Sequence, residues 1–152
     1  MKKHIFLIIL SCVIVILAAA SLFVSRFLMG NPGNPFPFDY LTVDDVESVM
    51  VNAVPPDTSK LMSEDRITEM VQLLNNVEIF RRDRDMSDNL VGQLVQYDVT
   101  KKDGTKQSIG IVYPWIIING VWYRSHDSYF ELNELNLLAN SFLGTPFGLQ
   151  ED

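Results

Sequence analysis

Few residues in this 152-residue chain have the types and spacing that chemistry needs. His126, one of two histidines, lies in Ser125-His126-Asp127-Ser128, which holds a hydroxyl, an imidazole and a carboxylate in a row. A catalytic triad needs those groups to converge in space, and neighbours in sequence point their side chains apart. The segment therefore reads as a polar loop leading into a helix cap at Ser128. Cys12 is the only cysteine, so the chain has no internal disulfide and no thiolate metal cluster to offer. A zinc site would need His126 and three carboxylates from no defined cluster. Asp83-Arg84-Asp85-Met86-Ser87-Asp88-Asn89 places oxygen donors at alternate positions, as a calcium loop does at its start. However, Asp88 stands where that loop needs glycine and Leu94 where it needs a bidentate glutamate. Arg81, Arg82 and Arg84 form a basic cluster interleaved with Asp83 and Asp85, and it reads as local ion pairing, with an anionic surface polymer as the alternative partner. No glycine-rich phosphate loop and no paired-carboxylate spacing is present. The expectation is a non-catalytic protein with no cofactor and no metal.

Aromatic and apolar residues carry the remaining candidate. Ile116-Ile117-Ile118-Asn119-Gly120-Val121-Trp122-Tyr123 is a hairpin with a two-residue Asn-Gly turn. Its pairing puts Ile116, Ile118, Val121 and Tyr123 on one face and Trp115, Ile117 and Trp122 on the other. If helices cover the first face, then Trp115, Ile117 and Trp122 form an exposed patch with Arg124 beside Trp115, a surface for a protein or cell-wall partner. The competing arrangement has the C-terminal tail, with Phe142, Leu143, Phe147 and Leu149, fold back over that patch.

The elements that must position this patch follow from periodicity. Val46 to Val54 is β-branched and reads as a strand ending at Pro55-Pro56, with a short helix over Val43, Val46 and Met50 behind Thr42 as the alternative. Ser63 reads as an N-cap followed by Glu64 and Asp65, and Ile67, Met70, Val71 and Leu74 then mark a helix from Glu64 to Asn75. Val77 to Arg82 is a further strand or loop. Val91, Val95, Tyr97 and Val99 alternate on one strand, and Ile109, Ile111 and Tyr113 alternate on the next. A two-residue loop at Asp103-Gly104 would put these two apolar sets on opposite faces. A three-residue loop at Lys102-Asp103-Gly104 pairs Tyr97 with Ile109 and Val95 with Ile111, and it gives Gly104 the left-handed position, so this register is expected. Ser128-Tyr129-Phe130-Glu131 is a capping box, opening a helix with the stripe Leu132, Leu135, Ala139 and Phe142 and ending before Gly144. The fold class is α+β: one small domain with a mainly antiparallel four- to five-stranded sheet and two packed helices.

Overall composition hides two different materials. The chain is 47% hydrophobic and 20% charged, with 12 Lys+Arg against 19 Asp+Glu. Residues 1–30 contain 22 apolar residues, three basic ones (Lys2, Lys3, Arg26) and no acid, which leaves nine basic against 19 acidic residues beyond them, a charge of −10. So acidic a domain does not suit nucleic acid. Ile5 to Val24 is a run of twenty uncharged residues, long enough as a helix for a bilayer core, and the heavier positive charge before it keeps the N-terminus cytoplasmic. Residues 1–29 are thus expected to be a single-pass anchor in the cell membrane, with the lipid bilayer as partner over residues 5–24 and the C-terminal domain extracellular. Cleavage after Ala20 and lipidation at Cys12 are alternatives. The continuing run Leu22-Phe23-Val24 favours a retained anchor. Residues 30–38, rich in Gly, Pro and Asn, form a stalk, and residues 39–152 the domain. Its negative charge is expected to hold it away from anionic lipid.

Four features resemble small membrane-anchored or lipoprotein-type extracytoplasmic domains of unknown function from Gram-positive gut bacteria. These are Asp44-Asp45-Val46-Glu47-Ser48-Val49, the helix carrying Leu73-Leu74-Asn75, the Lys-Asp-Gly hairpin and the Asn-Gly-Val-Trp-Tyr hairpin. The resemblance spans about residues 40 to 140. It implies location and fold and supplies no catalytic residues.

Overall fold

The structure, a computed structural model, describes residues 33–84, 92–125 and 128–144. The apolar run at 5–24 lies outside these. Among the described residues no helix is long and apolar enough to cross a membrane.

Seven antiparallel strands form one sheet, with two helices on one of its faces. The strands are β1 (Val46–Val54), β2 (Thr58–Leu61), β3 (Ile79–Arg82), β4 (Leu94–Lys101), β5 (Lys106–Val112), β6 (Trp115–Ile118) and β7 (Val121–Ser125). The helices are α1 (Glu64–Asn75) and α2 (Tyr129–Leu143). The strand order is β2-β1-β4-β5-β6-β7-β3. The α+β class stands, but the sheet is wider than the four to five strands expected. The strand that sequence periodicity misses is β2, Thr-Ser-Lys-Leu, which has no apolar alternation. It forms because β1 leaves an edge to satisfy, pairing Met50 with Leu61 and Ala53 with Thr58. Both outer strands have only four residues. Their bare edges are further blunted by charge, Lys60 on β2 and Arg81 and Arg82 on β3.

The strand reading of Val46–Val54 holds to the residue. The competing helix survives only as a 3-10 turn at Val43–Asp45, where the Thr42 hydroxyl and amide donate to the Asp45 carboxylate (2.6 and 3.3 Å). In the β4–β5 hairpin Tyr97 faces Ile109 and Val95 faces Ile111, and Gly104 takes φ +84°, as the three-residue loop requires. The Asn-Gly hairpin pairs Ile118 with Val121, Ile117 with Trp122 and Ile116 with Tyr123. Asn119 and Gly120 have φ of 50° and 79°, the conformation of a turn whose twist matches its strands. Tyr113 is not part of the β5 alternation. It enters a tight turn with Pro114, and its ring is exposed.

The core lies between sheet and helices. Val49, Val51, Val95, Tyr97, Val99, Ile109, Ile111 and Ile116 are buried against Ile67, Met70, Val71 and Leu74 of α1 and Leu132, Leu135 and Ala139 of α2. The Tyr97 phenol donates to the Leu135 carbonyl, and burial raises its pKa. α1 begins after Ser63 as expected, but the Ser63 side chain makes no cap bond. A hydrogen bond from Ser63 instead holds the Asp65 carboxyl below its ordinary pKa. The capping box expected at Ser128 does not form either. Ser128 is buried, and its hydroxyl accepts from the Glu78 amide (2.8 Å) and approaches the Glu78 carbonyl as a donor (3.3 Å). The buried chain entering β3 thus takes the hydroxyl that sequence assigned to the helix end. α2 ends at Gly144 in the left-handed conformation, φ 73°.

Candidate functional site

The sheet face turned away from the helices is the candidate site. Parity places Met50, Asn52 and Val54 of β1 there, with Leu94, Gln96 and Asp98 of β4 opposite them. The face continues through Ser108 and Gly110 of β5, Ile117 and Trp115 of β6, and Trp122 and Arg124 of β7. All four residues singled out from the sequence, Trp115, Ile117, Trp122 and Arg124, therefore share it.

They are less open than a bare patch. Trp122 is only 6% exposed, and Trp115, Ile117 and Arg124 are half-buried. The Trp115 and Trp122 rings meet edge to face at 6.2 Å, and the Arg124 guanidinium lies 5.5 Å from the Trp115 ring. Gly110 allows this closeness. A Cβ there would come within 3.3 Å of Ile117 Cβ, Ile117 Cδ1 and Leu94 Cδ1, so glycine is what lets those two side chains close over β5. Phe142 and Leu143, expected to cover the tryptophans, pack against the core instead. Phe147 and Leu149 lie outside the described residues.

Asp83 fixes the aromatic end of this face. Its Oδ2 accepts from Trp115 Nε1 (3.2 Å) and Arg124 Nε (3.3 Å), and Arg81 lies at 3.8 Å. Its Oδ1 accepts from the Arg84 amide at 3.2 Å, and its own amide donates to the Trp122 carbonyl at 2.8 Å. Arg81 and Arg124 stand directly opposite each other on β3 and β7, a like-charge pair that one carboxylate offsets. Burial raises the Asp83 pKa, but the Trp115 indole, the Arg84 amide and the guanidiniums of Arg124 and Arg81 outweigh it and hold the carboxyl below its ordinary value. Local ion pairing thus accounts for Arg81. Sequence gave no signal for the Trp115 and Arg124 contacts, which come from residues about thirty to forty positions away.

The other end of the face is polar and hollowed. Asp98 accepts from Asn52 Nδ2 and Gln96 Nε2, each at 2.9 Å. Beside it a depression of about 550 Å³ is lined by Ser48, Met50, Leu61, Thr100, Lys106 and Ser108, among others. Met50 and Leu61 were not picked out from sequence, because the register that aligns them exists only once β2 pairs with β1.

The remaining sequence candidates fall largely outside the described residues. His126 and Asp127 lie outside the described residues, and both flanking hydroxyls serve the backbone, Ser125 Oγ at the Pro114 carbonyl (3.0 Å) and Ser128 Oγ at Glu78. Of the calcium-like segment Asp83 and Arg84 are described, and Asp83 is engaged as above. Among the described residues no three His, Cys, Asp or Glu side chains gather as a metal site.

A second surface feature is aromatic. Tyr113 (52% exposed), Tyr129 (59%) and Phe130 (64%) lie at one end of the domain, and the two tyrosine rings meet edge to face at 4.8 Å. In the sequence, Tyr129 and Phe130 are visible only as residues of a first helical turn that fall off the Leu132–Leu135–Ala139 stripe.

No known protein family, no curated protein and no solved structure matches the chain.

Proposed function

We propose that this protein is a membrane-tethered, non-catalytic interaction module on the outer side of a bacterial cytoplasmic membrane, binding a protein or cell-wall partner through the sheet face opposite its helices. The observation that carries the reading is the composition of that face. It joins aromatic rings held by Asp83, a cationic Arg124 and the exposed apolar side chains Met50 and Leu61, and no described helix or strand packs on it. Interfaces enriched in aromatic, Met and Arg side chains share this composition. The apolar run at 5–24 and the charge bias around it support the tether.

A photo-crosslinking amino acid at Leu61 tests the surface, with Gln72 on the exposed side of α1 as the control site. Irradiation of intact cells expressing the full chain should give a discrete adduct from Leu61, lost on exchange of Arg124 for Glu, and none from Gln72. Equal adducts from both positions, or none from Leu61, would overturn the reading.

One observation favours a second function. The Asp98 carboxylate, oriented by Asn52 and Gln96 beside a depression rich in hydroxyl groups, suits a small peptide or glycan ligand. The module would then be a sensor or small inhibitor. A ligand-induced thermal shift that disappears in Asp98→Ala would support it. Core side chains fill the space between the helices and the sheet, so the depression is where such a ligand has room.

A further inference from the structure

We propose that the end of the domain carrying Tyr113, Tyr129 and Phe130 rests on the bilayer interface, so that the domain stands on the membrane in one orientation. The inference builds on the tether reading and adds which part of the domain touches lipid.

Printed contacts bring the aromatic rings and the chain's point of entry to the same end of the sheet. The Ile79 amide at the start of β3 donates to the Pro35 carbonyl at 2.8 Å, so the stalk joins the domain beside β3. Ile79 stands opposite Ser125 on β7, and Ser125 donates from its amide and hydroxyl to the Pro114 carbonyl, both at 3.0 Å. Pro114 follows Tyr113. The Glu78 amide bonds Ser128, which Tyr129 and Phe130 follow. Phe36, one residue past Pro35, is exposed as well. These aromatic residues come from three separate stretches of chain, and only the fold makes them neighbours.

The opposite end is rich in lysine, and the one exposed ring placed there, Tyr40, lies 5.1 Å from Lys101 Nζ. The β4–β5 turn holds Lys101, Lys102 and Asp103, Lys102 bonds the Asp45 carbonyl at 2.9 Å, and the exposed Lys106 follows. The two ends thus differ, with Phe36, Tyr113, Tyr129 and Phe130 exposed where the stalk enters, and lysines at the remote end, where Lys101 lies over the exposed Tyr40 ring.

The length of the stalk commits the occupant. Eight residues separate Val24 from Gly33, which extended span at most about 30 Å. A leash that short keeps the entry end beside the bilayer at an effective lipid concentration far above that of a free domain, so a few weak ring contacts suffice. Tyr and Phe rings suit the zone between headgroups and acyl chains, where an apolar body and a polar tip are both accommodated. Repulsion between the −10 domain and anionic lipid, which by itself predicts a domain held off the surface, opposes this contact. The contact is therefore strongest on zwitterionic membranes.

The test uses the full chain in phosphatidylcholine vesicles, with Cys12→Ala as background and a spin label at Phe130→Cys or at Lys102→Cys. Both positions are exposed, so neither label disturbs the core. Flotation of the vesicles first reports the tether. If the protein does not float, the tether reading fails, and this inference with it. If it floats, the Phe130 label should be several-fold less accessible to a water-soluble nickel relaxation agent than the Lys102 label, and more accessible to oxygen. Floating protein in which both labels are equally accessible to nickel would overturn the orientation while leaving the tether intact.

Discussion

Exchange of Asp83 for Asn is the perturbation that most directly probes how the candidate face is held. The side chain keeps its size, so no cavity opens, and only the charge is removed. A hydrogen bond to a charged group contributes about 1.5–3 kcal/mol against about 0.5–1.5 for a neutral one, so the Trp115 indole bond loses about 1 kcal/mol. The Arg124 pair, partly solvated at 3.3 Å, adds about 0.5 kcal/mol. Arg81 and Arg124, left face to face without the carboxylate, cost a few tenths more. The expected loss is about 2 kcal/mol at neutral pH, read by urea unfolding of residues 32–152, which form a compact unit with its own core. The pH dependence fixes the cause. Because the folded state lowers the Asp83 pKa below 3.8, the carboxylate's contribution is fully present above the unfolded value and is lost as pH falls through the folded one. The stability difference between wild type and Asp83→Asn should therefore begin to shrink as pH falls through about 3.9 and close only below the lower folded pKa. A loss under about 0.5 kcal/mol at pH 7, where surface substitutions ordinarily fall, would refute the reasoning. So would a loss that is the same at acid and neutral pH.

Three other outcomes follow from the same geometry. Trp122→Ala should cost about 3–5 kcal/mol, as expected of a buried tryptophan, and Trp115→Ala clearly less, so denaturant unfolding that ranked them in reverse would contradict their assigned burial. Tyr97→Phe removes the phenol hydroxyl that donates to the Leu135 carbonyl, an acceptor within α2, and should lower stability by about 0.5–1.5 kcal/mol in the same assay. Gly104→Ala meets no neighbour within 4 Å, yet φ of +84° is strained for any side chain, and thermal unfolding should show a loss of about 1–2 kcal/mol from the backbone alone.

Local rules were enough wherever a residue's partners lie close in sequence. The stripe from Ile67 to Leu74 fixes α1 to the residue. The Asn-Gly and Lys-Asp-Gly turns each fix a hairpin register, because a slip of one residue would turn every apolar side chain to the wrong face. The same turns place Trp115, Ile117, Trp122 and Arg124 on one face. What they could not supply is how open that face is, since Trp122 owes its burial to packing that no local pattern encodes. Nor could they show Asp83 reaching Trp115 across 32 positions, or Ser128 leaving its helix end for Glu78 across 50.

Length, charge and periodicity by themselves determine an apolar run of bilayer length, an acidic remainder and an α+β order of elements, because each depends on composition or on contacts a few residues apart. Tertiary structure alone decides that β2 exists, that Leu61 joins Met50, and that Tyr113 meets Tyr129 at the end where the stalk enters. Those contacts join stretches that are remote in sequence, and they form only when backbone groups at a sheet edge and apolar surfaces between layers have no other partner.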